Sequence, residues 1–443
     1  MPTRRKVLAW GAAAATATPA LAACGESAGA ARMTTATRRR PGQKVRLVFW
    51  TWVPLQKAAA LWNKHHPDIQ VDVQTVPANT SGGYQKMHSS LKAGDPPDLA
   101  QIEYWALPEF MLANGLTDLS EYGADKLKDS YVDWQWKQGV FAGRTHAMPQ
   151  ASGPMGYFYR KDLYEKWDVE VPRTWEAFRE AAVKIKKRGG GSLITAFPPA
   201  NAQWFSSFPW QRGAHWVRVE DDTWVVDLTG KESMEVAAFW DGMLRDKLLA
   251  PIQDSQSAFF KGLQTGQLAS WLGAQWQDAL VRGNAPGTKG KWRVAELPQW
   301  QAGEHASANW GGSSTAILQG SRHPVEALKF AHWLNTDPAS IDLLVAAGYG
   351  WPAARIDLKK SALGKPDPFF GGQRYNEVFQ VSDRNVDTSW RFSPTTTQSF
   401  AHIQDNIGRV VAGHGSVQDA LRDAQEKFVD DLKAKGLKAR SAS

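Results

Sequence analysis

Trp310-Gly311-Gly312-Ser313-Ser314 lies between two short apolar runs of strand type, Trp292–Pro298 and Ser314–Leu318. Paired glycines let a backbone pass close to a ligand or to a second strand, and the tryptophan ahead of them offers a large flat face. We read this stretch as the place where the chain crosses from one lobe to another along the floor of a sugar-binding cleft. The same residues also suit a turn beside a core tryptophan.

At 443 residues the chain has enough length for two or three domains' worth of core. It carries 22 tryptophans, and indole is costly to scatter over a surface without a flat apolar partner, so the excess favours a binding surface over core filling alone. The net charge of +8 is concentrated at the start. Three positive charges sit at Arg4, Arg5 and Lys6, and a net three more between residues 24 and 43, which leaves +2 for the body. So balanced a body lacks the basic stripe of a nucleic-acid footprint. Cys24 is the single cysteine, which excludes an intrachain disulfide or a thiolate metal cluster. No metal site is expected, since His65 and His66 have no partners at ligand spacing and read as surface residues. No cofactor is expected either, and the body has no run long enough to span a bilayer.

Residues 1–23 read as an export signal: Thr3-Arg4-Arg5-Lys6, then an alanine-rich apolar stretch from Val7 to Leu21. The Thr-Arg-Arg-x-Val-Leu pattern resembles a twin-arginine signal. Leu21-Ala22-Ala23-Cys24-Gly25 resembles a bacterial lipobox, which implies acylation of Cys24 and a lipid anchor on the outer face of the cytoplasmic membrane. Ordinary cleavage near Ala23 with a free thiol is the alternative. Residues 24–43 read as a flexible tether. The Gly25-Glu26-Ser27-Ala28-Gly29 in it matches a nucleophile elbow only formally, without the strand–turn–helix setting.

From Lys44 the body alternates strand and helix. Val45–Trp50 and Ile69–Val73 read as strands, with a helix between them carrying Leu55, Ala58, Ala59 and Trp62 on one face. A second helix over Tyr84–Ala93 ends at Gly94-Asp95-Pro96-Pro97-Asp98, and Leu99–Ile102 is a third strand. Such alternation predicts a largely parallel sheet, with ligand beyond the carboxyl ends of its strands, where Trp50, Trp52, Glu103, Tyr104 and Trp105 fall. A second α/β unit starts after Pro149. It has strands at Met155–Tyr159, Leu193–Phe197 and Leu268–Leu272, a helix capped by Thr174, and an aromatic-rich stretch from Gln203 to Trp216. Helices are predicted around Val236–Leu244, from Pro324 and from Ser416, where Asp419 completes a capping-box pattern. Trp216, Trp240 and Trp333 read as core.

These landmarks resemble the extracellular solute-binding proteins of ABC importers, in the sugar-binding group of the maltose-binding type (family 1). Four stretches carry the resemblance: Gly94–Asp98; Gly156–Leu163 with Val171–Phe178; Gly290–Ile317; and Ser416–Leu421. It implies an α/β fold of the type II periplasmic-binding-protein kind, two discontinuous lobes joined by crossing hinge segments near Pro149–Gly156, Ala306–Ser313 and after Gly350. Lobe 1 would comprise 44–150 plus 312–350, and lobe 2 would comprise 151–311 plus 351–443. It implies capture of a sugar or oligosaccharide between the lobes and delivery to the importer's permease, by a monomer that breaks no bonds and touches no nucleic acid. Flat rings suit the C–H faces of a pyranose and polar groups its hydroxyl rim. The candidates are Trp50, Trp52, Glu103, Tyr104 and Trp105 from the first lobe, and Ser152, Trp310, Gly311 and Gly312 from the crossings. The second lobe offers Trp204, Trp271, Trp276, Trp351, Trp390 and Arg391. Trp50 and Trp276 fall where members of the family place tryptophans. Trp52-Val53-Pro54 departs from the polar residues of the maltose-binding type, which implies a different sugar. The rival functions are an exported polysaccharide-active enzyme, such as a glycosidase with paired carboxylates, and a cell-wall-adhesive lipoprotein.

Overall fold

The computed structural model describes residues 42–442, so the export signal, Cys24 and the tether as far as residue 41 lie outside the described residues. Two sheets organise the body. The first has six strands: β1 (Val45–Thr51), β2 (Ile69–Thr75), β3 (Leu99–Glu103), β4 (Ala147–Ser152), β8 (Ser313–Ile317) and β9 (Trp351–Pro352). In space they run β9-β4-β8-β3-β1-β2. The second, antiparallel, has β6 (Ser270–Ala274), β5 (Met155–Arg160) and β7 (Trp292–Ala295), with β5 in the middle.

Burial follows position. The central strands β3, β4 and β8 are buried at every residue, whereas β1 alternates at its start and β2 is exposed at its end. β1 is parallel to both β2 and β3, as strand–helix–strand alternation requires. β8 runs antiparallel to β3 and β4, and β9 antiparallel to β4, so the expected largely parallel sheet is a mixed one. The reason is topological: β8 and β9 follow long excursions and re-enter the sheet from the other end. Leu193–Phe197 is not a strand. It makes only single bridges, Leu193 to Leu268 and Ala196 to Ala250, at the margin of the second sheet.

The local signals hold where they rest on hydrogen bonding. The Thr174 hydroxyl accepts from Ala177 N at 3.1 Å to open the helix Trp175–Arg188, and Ser416 with Asp419 forms a full capping box on Val417–Ala434. Asp98, the last residue of the Gly-Asp-Pro-Pro-Asp turn, accepts from Val48 N at 3.0 Å and from Ser321 Oγ at 2.6 Å. One carboxylate thereby ties β1 to the exit of β8. Trp216 and Trp240 are buried in the second lobe, and Trp333 packs with Trp62 and Phe330 in the first. Among the described residues no helix is long and apolar enough to cross a membrane.

Candidate ligand-binding cleft

The chain passes between the sheets twice within a few ångströms. β4 ends at Ser152 and β5 starts at Met155; the return runs through Asn309–Gly312 into β8. The two passages are bonded to each other. Gly153 N donates to Asn309 Oδ1 at 2.6 Å, and Trp310 N donates to the Gly153 carbonyl at 2.8 Å. A Cβ on Gly153 would sit 1.9 Å from the Trp310 carbonyl oxygen, so this approach needs glycine. Gly312 has φ 93°, and its carbonyl accepts from Tyr104 N at 3.2 Å, fastening the return passage to the end of β3. The Trp276 indole donates to the Trp310 carbonyl at 3.0 Å, with the two rings edge to face.

On the first lobe, the chain beyond β3 presents Glu103, Tyr104 and Trp105. The Tyr84 hydroxyl receives a 2.9 Å bond from Glu103 N and lies 3.3 Å from Glu103 Oε2. Burial pushes the Glu103 carboxyl up, while the polar groups beside it, the Trp105 indole, Asn79, Gln203 and Tyr84, draw it back. Burial likewise raises the Tyr104 phenol. Trp52 meets Tyr84 edge-on, and Trp50 lies under Lys86 Nζ at 4.1 Å while donating to Gln74.

The second lobe answers with two helices, Ala202–Arg212 and Thr396–Val411. Gln203 Nε2 reaches Glu103 Oε1 at 3.5 Å, and the Phe400 ring lies 5.7 Å from that of Trp105. Thr397 Oγ1 donates to Glu109 Oε2 at 2.8 Å, a carboxylate that His88 also contacts. Sequence inspection missed Tyr84, Gln203, Thr397 and Phe400. The lobes are thus closed on each other, and one apolar cluster holds Tyr84 and Trp105 from one side with Phe400 from the other.

What buries a ring therefore matters more than how far it is buried. Trp105 is 4% exposed and Tyr104 3%, but Trp105 is covered by Phe400 of the opposite lobe as well as by Tyr84 of its own. Trp204 is covered from within its own lobe, by Phe197, Phe208 and Trp240, and its indole donates to the Leu272 carbonyl. On that helix Gln203, Ser207 and Trp210 form one face, and Trp204, Phe208 and Gln211 the next. Trp271 packs on Phe158, Phe259 and Phe260, on the opposite face of β6 from Leu272. Trp390 stacks on Trp210 at 5.0 Å, and Trp351 belongs to the second lobe's apolar cluster. These four, expected as sugar contacts, are interior packing residues. Arg391 is exposed on the surface, and the Ser152 hydroxyl is committed to Asp383 at 3.0 Å. Glu103, Tyr104, Trp105, Trp52, Trp276, Trp310, Gly311 and Gly312 are brought together around the crossings and the end of β3, and Trp50 lies on β1 under Lys86.

A buried carboxylate, amides and phenols beside facing aromatic rings form a surface suited to a polyhydroxylated guest with apolar faces. Among the described residues no group of three or more His, Cys, Asp and Glu side chains could hold a metal ion.

Residues 51–341 match the family described as bacterial extracellular solute-binding protein. The galacto-N-biose/lacto-N-biose I-binding protein of an ABC transporter from Bifidobacterium longum, solved with lacto-N-biose, superposes with a TM-score of 0.83 at 30% identity, over 90% of this chain and 100% of that one. An ABC-transporter-associated binding protein from B. animalis subsp. lactis, solved with β-1,6-galactobiose, gives 0.79 at 30% identity, over the same shares of the two chains. The arabinooligosaccharide-binding protein of Halalkalibacterium halodurans is 23% identical over 86% of this chain and 88% of its own. This chain belongs to the bacterial extracellular solute-binding protein family.

Proposed function

We propose that the protein captures a short oligosaccharide between its lobes and, closed around it, delivers the sugar to the permease of an ABC importer without chemical change. The observation that carries this is the facing set at the mouth of the crossings: Trp105 against Phe400, beside Glu103 shared by Tyr84 and Gln203. In the proposed complex the guest separates Trp105 from Phe400 and stacks on one or both. Glu103 and Gln203 exchange their mutual contact for hydroxyls of the sugar rim. Gly311 and Gly312 bring backbone close to the guest, and Trp52 and Trp276 border it. The lobes of this reading are 44–150 plus 312–350, and 151–311 plus 351–443, with Ser152 and Trp351 in the crossings between them, still on strands of the first sheet.

Two solved relatives hold disaccharides that contain galactose, which makes galactosyl disaccharides the first class to try. Galactose also presents an extended C–H face on one side of its ring, the shape that an indole covers. A lipid anchor at Cys24, after export, would keep the protein beside its permease on the outer face of the membrane. Radiolabelled or alkyne-tagged palmitate should enter the wild-type chain in its host and not Cys24→Ala. A thermal-shift screen over saccharides, with the sugar recovered and chromatographed afterwards, tests capture without turnover. Stabilisation with sugar recovered intact supports the reading; a cleaved product assigns an enzyme instead.

A further inference from the structure

One carboxylate joins the lobes where the chain crosses, and the proposed sugar contacts do not use it. Asp383 lies on the helix Asn376–Arg384, whose Phe379 packs on β5 of the second sheet. Its hydrogen-bond donors come from the last residue of β4, in the first sheet, and from the helix Asp133–Gln138 packed on β4. Ser152 Oγ, at the last residue of β4, donates to Asp383 Oδ1 at 3.0 Å. Gln135 Nε2 donates to Ser152 Oγ at 3.0 Å and reaches Asp383 Oδ1 at 3.5 Å. The indoles of Trp134 and of Trp351 on β9 lie beside the carboxylate as well. Asp383 is 6% exposed, and its partner Ser152 is one residue from the Gly153 crossing.

We propose that Asp383 is the positioning residue that latches the second lobe to the end of β4 and the helix Asp133–Gln138, and that uptake of a proton by its carboxyl favours the closed form. The inference rests on closure of two lobes, and the identity of the guest does not enter it.

All the donors are neutral. The charged and titratable groups that face Asp383 are Arg384, on its own helix, and the Tyr104 phenol, beyond the end of β3; from the helix Asp133–Gln138, β4 and β9 it meets only hydroxyl, amide and indole. Burial pushes the Asp383 carboxyl up from 3.8 to about 7, against the downward pull of Ser152, Trp134, Trp351 and Arg384. Opening takes the helix end away from Ser152 and Gln135 and lets water reach the carboxylate, which returns toward its ordinary value. The closed form therefore binds the proton more tightly. Closure is favoured at low pH, loses ground as pH rises from the ordinary carboxylate range toward 7, and is flat above. Between pH 6 and pH 8 this linkage changes the closed-to-open ratio by about tenfold.

The test needs no sugar, so its failure is separable from failure of the carbohydrate reading. One dye on each lobe, through Lys57→Cys and Lys184→Cys in a chain with Cys24→Ser, reports the closed-to-open ratio by single-molecule energy transfer. The ratio should fall about tenfold from pH 6 to pH 8. In Asp383→Asn, whose amide oxygen still accepts from Ser152 but cannot ionise, it should change less than twofold. Ser152→Ala removes a bond that favours the charged carboxylate, so the midpoint of the pH profile should move upward, and this variant carries the test if the first misfolds. A wild-type ratio equal at both pH values, an Asp383→Asn profile that copies the wild type, or a Ser152→Ala midpoint that stays in place overturns the proposal.

Discussion

Replacing Glu103 by glutamine should make the protein more stable and a poorer binder, two effects of opposite sign from one atom. In the closed structure Glu103 is 7% exposed and burial raises its carboxyl above the ordinary range. A group whose protonation is easier in the folded state takes stability away as pH climbs from the ordinary carboxylate range to the folded value, and the loss is complete above that. Glutamine keeps the shape: its one oxygen can still accept from the Tyr84 hydroxyl while its NH2 donates to the Gln203 amide turned to present its oxygen, so the variant escapes this loss. Its urea midpoint should exceed the wild type's at pH 8 and converge with it near pH 4. Binding moves the other way. A hydrogen bond from a sugar hydroxyl to a charged acceptor contributes about 1.5–3 kcal/mol, so its weakening corresponds to about 10- to 100-fold in Kd. Calorimetric titration at pH 8 reads the affinity and chemical denaturation reads the stability. Equal affinity in the two proteins would show that Glu103 does not touch the guest. A variant less stable at pH 8 would show that its buried charge is compensated more fully than its surroundings indicate.

Trp204→Ala should cost about 3–5 kcal/mol of folding stability, read by denaturant midpoint, because it empties the interior between Phe197, Phe208 and Trp240. Gly153→Ala places a carbon 1.9 Å from the Trp310 carbonyl and should break the 2.8 and 2.6 Å bonds that join the two crossings. A melting temperature lower by several degrees and a weaker response to ligand are expected, from scanning calorimetry with and without sugar. Asp254, which caps the approach to the cleft helix by accepting from Asn201 Nδ2, has its carboxyl raised to about 6 by burial. Wild-type stability should accordingly fall between about pH 4 and pH 6 by on the order of 3 kcal/mol and then level off. In Asp254→Asn the slope measured by a series of urea titrations should shrink by about this amount, leaving the part that Glu103 and Asp383 contribute.

Periodicity and capping chemistry in the sequence located most elements, because those signals are local: Thr174, Ser416 and Gly94 act within a few residues of themselves. The sense of β8 and β9 was not local. It depends on where the chain goes after leaving the second lobe, which alternation of strand and helix does not record. The helix Ala202–Arg212 was missed for a different reason. All of its residues except Gln203 and Arg212 are buried, and it contains Pro209, so it carries no apolar stripe to count. A usable signal was present in its polar residues: Gln203, Ser206, Ser207 and Gln211 recur at helical spacing in an aromatic run. Among the tryptophans, composition raised the right question and left it open. Trp105 and Trp271 both follow or occupy buried strands, and both are almost inaccessible. Only the side from which each is covered separates a cleft face from an interior one, and that property belongs to the assembled lobes.

The most direct measurement titrates galactosyl disaccharides, lacto-N-biose and β-1,6-galactobiose first, into the wild-type protein and into Trp105→Ala by calorimetry. A sugar held between the rings of two lobes should bind saturably at one site in the wild type and lose at least about 30-fold in affinity when the Trp105 face is removed. Binding that survives Trp105→Ala unchanged would contradict the account.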